Sequence, residues 1–208
     1  MNLKTRRFQI AGPVGAIEAL RDDPLEGSPR GTAVIAHPHP LFAGTMDNKV
    51  VQTLARAFVQ SGWSAVRFNF RGVGSTEGTH DNGRGELVDM LAVIGHEAAE
   101  GPLAIAGFSF GSFVAAGAVA QLWDQRPPEK IVLIGTAAGN FQVAPIPAEA
   151  QDATLVVHGE EDDTVPLAAV LDWARPQSLP VTVVPGGGHF FHGQLPLLKS
   201  MVVRHLRS

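Results

Sequence analysis

The sequence predicts an α/β fold, a mostly parallel central sheet of about eight strands with helices on both faces. Three observations predict it. Short apolar runs alternate with longer segments of helical period. Most of the runs are apolar at every position, as strands covered by helices on both sides are. No linker, low-complexity stretch or internal repeat divides the 208 residues, a length that suits one domain over 1–208.

The elements follow in order. Thr5 to Ile10 and Ala16 to Arg21 flank Gly12-Pro13-Val14-Gly15 and read as an antiparallel hairpin at one edge of the sheet. Thr32 to Ala36 is the first central strand. After a Pro-rich loop, Asp47 or Asn48 can cap a helix in which Val51, Leu54, Ala55 and Phe58 fall at i, i+3, i+4 and i+7. The strand Ala65 to Phe70 leads into a turn, Arg71-Gly72-Val73-Gly74, where Arg71 is expected to pair with a loop carboxylate. Leu87, Met90, Leu91 and Ile94 repeat the helical spacing. Leu103 to Phe108 is a strand running into Ser112 to Trp123, a small-residue segment apolar nearly all round and so a helix packed closely on the sheet. Ile131 to Ile134, Thr154 to Val157 and Val181 to Val184 complete the strands. Leu195, Leu198, Val202 and Leu206 share one face of a last helix, and Arg204 and Arg207 complement its C-terminal dipole.

Composition excludes several functions. Sixteen Lys and Arg stand against 20 Asp and Glu, a net charge of -4, so no cationic excess serves a phosphate backbone or an anionic membrane. Neither nucleic acid nor a membrane is an expected partner. Cys is absent, which removes disulfides, iron-sulfur clusters, thiolate zinc sites and cysteine nucleophiles. No stretch approaches the ~20 apolar residues of a spanning helix. Lys4, Arg6 and Arg7 precede an apolar stretch broken by Gly12, Pro13 and Gly15, unlike a signal peptide. The expectation is a cytoplasmic protein, monomer or homodimer, acting on a small molecule.

Three stretches carry chemistry. Gly107-Phe108-Ser109-Phe110-Gly111 is a G-x-S-x-G between a strand and a helix, where a strained serine needs neighbours without Cβ atoms. The helix start aims free N–H groups at the place an oxyanion would form. His158-Gly159-Glu160-Glu161-Asp162-Asp163 follows a strand, putting carboxylates at a C-terminal strand end, where open α/β sheets hold ligands. Gly186-Gly187-Gly188-His189 delivers an imidazole to the same edge. The order is serine, carboxylate, histidine.

With these stretches, His37-Pro38-His39-Pro40-Leu41-Phe42, Gly44 to Lys49, and Arg67 to Ser75 in place, the chain resembles the α/β-hydrolase superfamily over nearly its whole length. It is most similar to small, lidless bacterial serine hydrolases of the dienelactone-hydrolase-like type. Dienelactone hydrolases proper use a cysteine, which this chain lacks, so the resemblance implies serine chemistry. It implies Ser109 as nucleophile, His189 as base and Asp162 as its orienting acid, because His-Gly-x-x-Asp-x-x-Val-Pro falls on His158, Gly159, Asp162, Val165 and Pro166. Asp163 is the reserve acid, and His192 competes with His189 but reads better as a cap of the last helix. The oxyanion hole would take the N–H of Phe110 and a second from the first loop. Prolines donate nothing, which leaves His39, Leu41 or a later residue, with Leu41 the expected donor. His37 and His39 could alternatively read as a metal pair, although the resemblance accounts for them as loop structure and implies no metal.

The interval from Gly135 to Asp152 is too short for a helical lid, so the cleft is expected to be open. Phe42, Phe110, Phe141, Phe190 and Phe191 are placed to line it, with Phe42 and Phe190 the expected substrate contacts. The expected activity is hydrolysis of small or accessible carboxylic esters through a Ser109 acyl-enzyme, without a cofactor. A thioesterase, a small-peptide or amide hydrolase, and a noncatalytic ligand-binding protein on the same fold are the alternatives.

Overall fold

The computed structural model describes residues 5–207; Met1 to Lys4, where the basic N-terminal segment begins, lie outside the described residues. Eight strands form one sheet in the order β1-β2-β4-β3-β5-β6-β7-β8. β1 (Thr5–Gly12) and β2 (Gly15–Asp22) are the hairpin, joined through Pro13 and Val14, and β2 lies antiparallel to β4. From β4 (Ser64–Phe68) onward β3 (Thr32–Ala36), β5 (Leu103–Phe108), β6 (Lys130–Ile134), β7 (Thr154–Gly159) and β8 (Val181–Val184) are parallel.

Period-two alternation decides which helix each strand residue meets. Val34, Ile105, Leu133 and Val156 face α2 (Arg84–Glu97), α3 (Phe110–Leu122) and α4 (Leu167–Ala174). Ala33, Ile35, Ala106, Val132 and Val157 face α1 (Lys49–Gln60) and α5 (Leu195–Arg207). Both faces are dry, which is why these strands read as continuous apolar runs. Between β6 and β7 the chain forms a single short 3-10 turn, Ala148–Ala150, and no lid covers the sheet edge. No helix among the described residues is long and apolar enough to cross a membrane.

Several boundaries differ from the sequence reading, each for a local reason. The fourth strand ends at Phe68: the Asn69 N–H still reaches Glu18 O of β2 (2.9 Å), but the next N–H, of Phe70, leaves the ladder for His37 Nε2 (3.0 Å). β7 continues through Gly159, so His158 lies within the sheet. α3 begins directly after Ser109. α4 was not anticipated, since only Val170 and Ala174 of it are buried, too few to write a period. On α2, Leu87 and Leu91 are half-buried, and the inner face holds Glu86 and Asp89 beside Met90, Val93 and Ile94. Arg71 pairs with that helix through Asp89 (2.9 and 2.7 Å) and with no loop carboxylate. Asn48, and not Asp47, caps α1, accepting the Val50 N–H.

Candidate active site

Ser109 stands between β5 and α3 with φ 57° and ψ -119°, a left-handed conformation that costs a non-glycine residue about 1–3 kcal/mol. The surroundings hold it there. Its N–H donates to Ile134 O (2.8 Å), and the buried Ser112 hydroxyl donates to Gly107 O (2.7 Å) while accepting the Ile134 N–H (3.0 Å). The two flanking glycines are steric necessities. A Cβ on Gly107 would lie 2.2 Å from Gly111 O, and one on Gly111 2.4 Å from Ala36 O. Backbone atoms cannot yield that far, so the turn closes only with glycine at both places.

His189 Nε2 is 3.0 Å from Ser109 Oγ, and its Nδ1 is 2.7 Å from Asp162 Oδ2. The loops after β7 and β8 meet to achieve this: the Glu161 N–H donates to Gly187 O (2.9 Å), and a Cβ on Gly159 would stand 2.2 Å from that same carbonyl. Asp162 Oδ1 accepts the N–H groups of Thr164 (3.0 Å) and Val165 (2.8 Å), leaving Oδ2 for the imidazole. Burial pushes this carboxyl up, but the hydrogen bonds from the His189 ring and the Val165 N–H outweigh it and hold Asp162 below its ordinary range. Asp163 is exposed and bonds Thr164 alone, and His192 is exposed beside the Phe190 ring. Of the candidates, the structure brings Ser109, His189 and Asp162 together and leaves Asp163 and His192 apart.

The loop after β3 corrects one expectation. Pro40–Phe42 form a 3-10 turn capped by His39, and the Leu41 N–H donates to His39 Nδ1 (3.2 Å) while its side chain points to solvent, 70% exposed. Leu41 is therefore not an oxyanion donor. The His39 N–H donates to no acceptor among the described residues, and His39 borders the serine cleft. Phe110 opens α3, where a first-turn N–H has no helical partner. His37 braces the loop from beneath. Its Nδ1–H donates to Pro38 O (2.6 Å) and its Nε2 accepts the Phe70 N–H, and burial lowers the ring to about 4, so it is neutral with both nitrogens engaged. That leaves His37 no lone pair for a metal, and no group of three His, Asp or Glu among the described residues could hold one.

A cleft of about 320 Å³ opens over Ser109 and His189, walled by Pro38, His39, Asn48 and Thr164 and rimmed by Phe42 and Phe190. Phe42 is 82% exposed and Phe190 43%. The other expected aromatics lie elsewhere. Phe191 is fully buried against the α1 and α5 face, and the buried Phe110 and half-buried Phe141 belong to an aromatic group with Phe113 and His39 behind the cleft wall. A larger groove, about 970 Å³, runs between the hairpin and α1 away from the serine, its Arg7, Arg67, Asp22 and Asp47 pairing with one another.

One constellation had no counterpart in the sequence reading. Glu86, fully buried, accepts the N–H groups of Asp81 (2.9 Å) and Gly83 (2.8 Å) and lies 2.8 Å from His80 Nδ1. The His80 ring packs against His39 and Phe110. The one available signal was a glutamate three residues into a helix, the place of a capping box.

No protein-family model matches the chain. An uncharacterised protein of Rickettsia prowazekii is 41% identical over 120 residues, 56% of this chain, which spans about half (48%) of that relative's length. Among solved structures, an α/β serine hydrolase without a lid from Xanthomonas campestris is 33% identical over 100% of this chain and 95% of its own, with a TM-score of 0.87. An α/β serine hydrolase homologue from Coxiella burnetii is 37% identical over 99% and 98%, TM-score 0.81. Est1E of Butyrivibrio proteoclasticus, solved with ferulic acid bound, shares the fold at 18% identity over 96% and 98%, TM-score 0.80.

Proposed function

The chain belongs to the α/β serine hydrolases without a lid, and from that premise we propose that it cleaves carboxylic esters of small or accessible substrates, working as one domain, through a Ser109 acyl-enzyme. The observation that carries the reading is the continuous contact from Asp162 Oδ2 through His189 to Ser109 Oγ, at 2.7 and 3.0 Å.

Ser109 Oγ attacks the ester carbonyl while His189 Nε2 takes its proton. Asp162 holds the tautomer with its proton on Nδ1 and stabilises the imidazolium that forms. The carbonyl oxygen, now negative, is met by the N–H groups of Phe110 and His39, which stand fixed before reaction and so cost no reorganisation. The imidazolium returns the proton to the departing alcohol, and a water activated by the same ring releases the acid. The open cleft with Phe42 and Phe190 at its rim supports an apolar or aryl group beside the serine. Acyl transfer alone does not choose the leaving group.

The test is stoichiometric labelling by a fluorophosphonate, with peptide mapping, on the native chain and on Ser109→Ala and His189→Ala. Label on Ser109 that vanishes in both variants is expected. A folded native chain that takes no label would overturn the reading in favour of a noncatalytic binding protein. Hydrolysis of a p-nitrophenyl ester panel, with acyl thioesters alongside, then tests the ester preference.

A further inference from the structure

One buried histidine at the acid loop has no place in these steps. His158, the penultimate residue of β7, is fully buried. Its Nε2 donates to Val165 O (2.9 Å) and lies 3.5 Å from Asp162 Oδ2, while its Nδ1 is buried with no partner among the described residues. A carbonyl can only accept, so the proton sits on Nε2. Burial holds the ring below the ordinary imidazole range, against the Val165 carbonyl and the Asp162 charge, so the side chain is neutral beside the carboxylate.

The arrangement has a geometric consequence. The ring ties residue 158 to residue 165 and closes the loop that carries Asp162 in its middle. Val165 is bound on both sides, its carbonyl to His158 and its N–H to Asp162 Oδ1. The bond to His158 thus sets where that N–H stands, and with it which carboxylate oxygen is left to face His189.

We propose that His158 is a positioning residue for ester hydrolysis, acting through Nε2 to lock the acid loop and the rotamer of Asp162 so that Oδ2 faces His189. The inference rests on the serine hydrolase reading above. Two variants of the full chain separate the donor from the shape: His158→Gln sets an amide nitrogen near the place of Nε2, and His158→Asn sets one near the place of Nδ1, short of Val165. The readouts are the fluorophosphonate labelling rate across the neutral pH range and the low-field NMR resonance of the His189 Nδ1 proton. His158→Asn is expected to slow labelling roughly 10- to 100-fold, the size of effect seen when an orienting partner is removed at metal sites. It should also move the acidic limb of the profile to lower pH and abolish the low-field resonance, and His158→Gln should recover all three. Unchanged behaviour in His158→Asn, or equal losses in both variants, would sink the proposal and leave a space-filling ring. If circular dichroism shows His158→Asn unfolded, His158→Phe takes its place as the variant without the donor. Should the folded native chain not label at all, the hydrolase reading fails, while the resonance still decides whether His158 orients Asp162.

Discussion

Two carboxylate–imidazole contacts, one leading to Ser109 and one behind the Phe110 ring, have nearly the same length and bind differently. Asp162 lies 2.7 Å from His189 Nδ1, and Glu86 lies 2.8 Å from His80 Nδ1. Each carboxylate is held by two backbone N–H groups of its own loop, those of Thr164 and Val165 for one, Asp81 and Gly83 for the other. The difference lies in what the imidazole reaches. His189 hydrogen-bonds at both nitrogens, Nδ1 to Asp162 and Nε2 to the Ser109 hydroxyl (3.0 Å), whereas neither nitrogen of His80 makes a hydrogen bond among the described residues, its ring lying against His39 and Phe110. A carboxylate behind an imidazole therefore fixes the ring only where the bond is aligned, as it is at His189. Whether the fixed ring does chemistry depends on the atom in front of it.

Removing the charge from each carboxylate in turn is the most direct way to break the comparison. Asp162→Asn should lower kcat about 10⁴-fold by allowing the wrong imidazole tautomer, with the fold intact by circular dichroism. Glu86→Gln should leave the pH profile of the activity in place; if kcat falls as far as in Asp162→Asn, the two pairs are functionally equivalent and the distinction collapses. The next effect sharpens the His39 side of the serine. His39 has φ -54° and ψ 124°, a backbone that proline adopts unaided and that suits the residue before Pro40. His39→Pro removes the N–H without moving the chain and should cost about 10²–10³ in kcat, whereas His39→Ala keeps the donor and should lose much less. Equal losses in steady-state kinetics would mean that the ring matters and the N–H does not.

Two smaller effects read stability. Glu86→Gln leaves one loop N–H poorly met in a buried place and should cost about 1–3 kcal/mol in denaturant unfolding. His37 belongs to neither pair and offers a contrast of sign. Its ring is lowered from 6.5 to about 4 when folded, so below 6.5 the unfolded chain takes the proton first. The stability it contributes is complete above pH 6.5 and is lost as pH falls toward 4, about 3 kcal/mol in all. Tm measured against pH should fall more steeply over that interval in the native chain than in His37→Asn. Parallel curves would show that the ring titrates normally.

Much of this was legible in the residues. β3 and β5 fall where their apolar runs place them, because both faces of a strand covered by helices are written into consecutive residues. Ser109 was legible because its strained turn admits glycine alone on either side. α4 was not, since two buried residues make no period. Nor was the buried face of α2, where Glu86 is tolerated because the Asp81 and Gly83 N–H groups just before the helix satisfy it, and Asp89 because the Arg71 guanidinium does.

By itself, then, the sequence determined the central strand runs, the serine turn and the order of serine, carboxylate and histidine, all of which follow from residue types along the chain. Tertiary structure alone decided which oxygen of Asp162 faces His189, and that Phe191 turns inward while Phe190 stays at the cleft. Those outcomes depend on where a hydrogen bond or a ring finds its partner across the fold. Such distances are set by loops folding back on one another, and no local pattern of residue types records them.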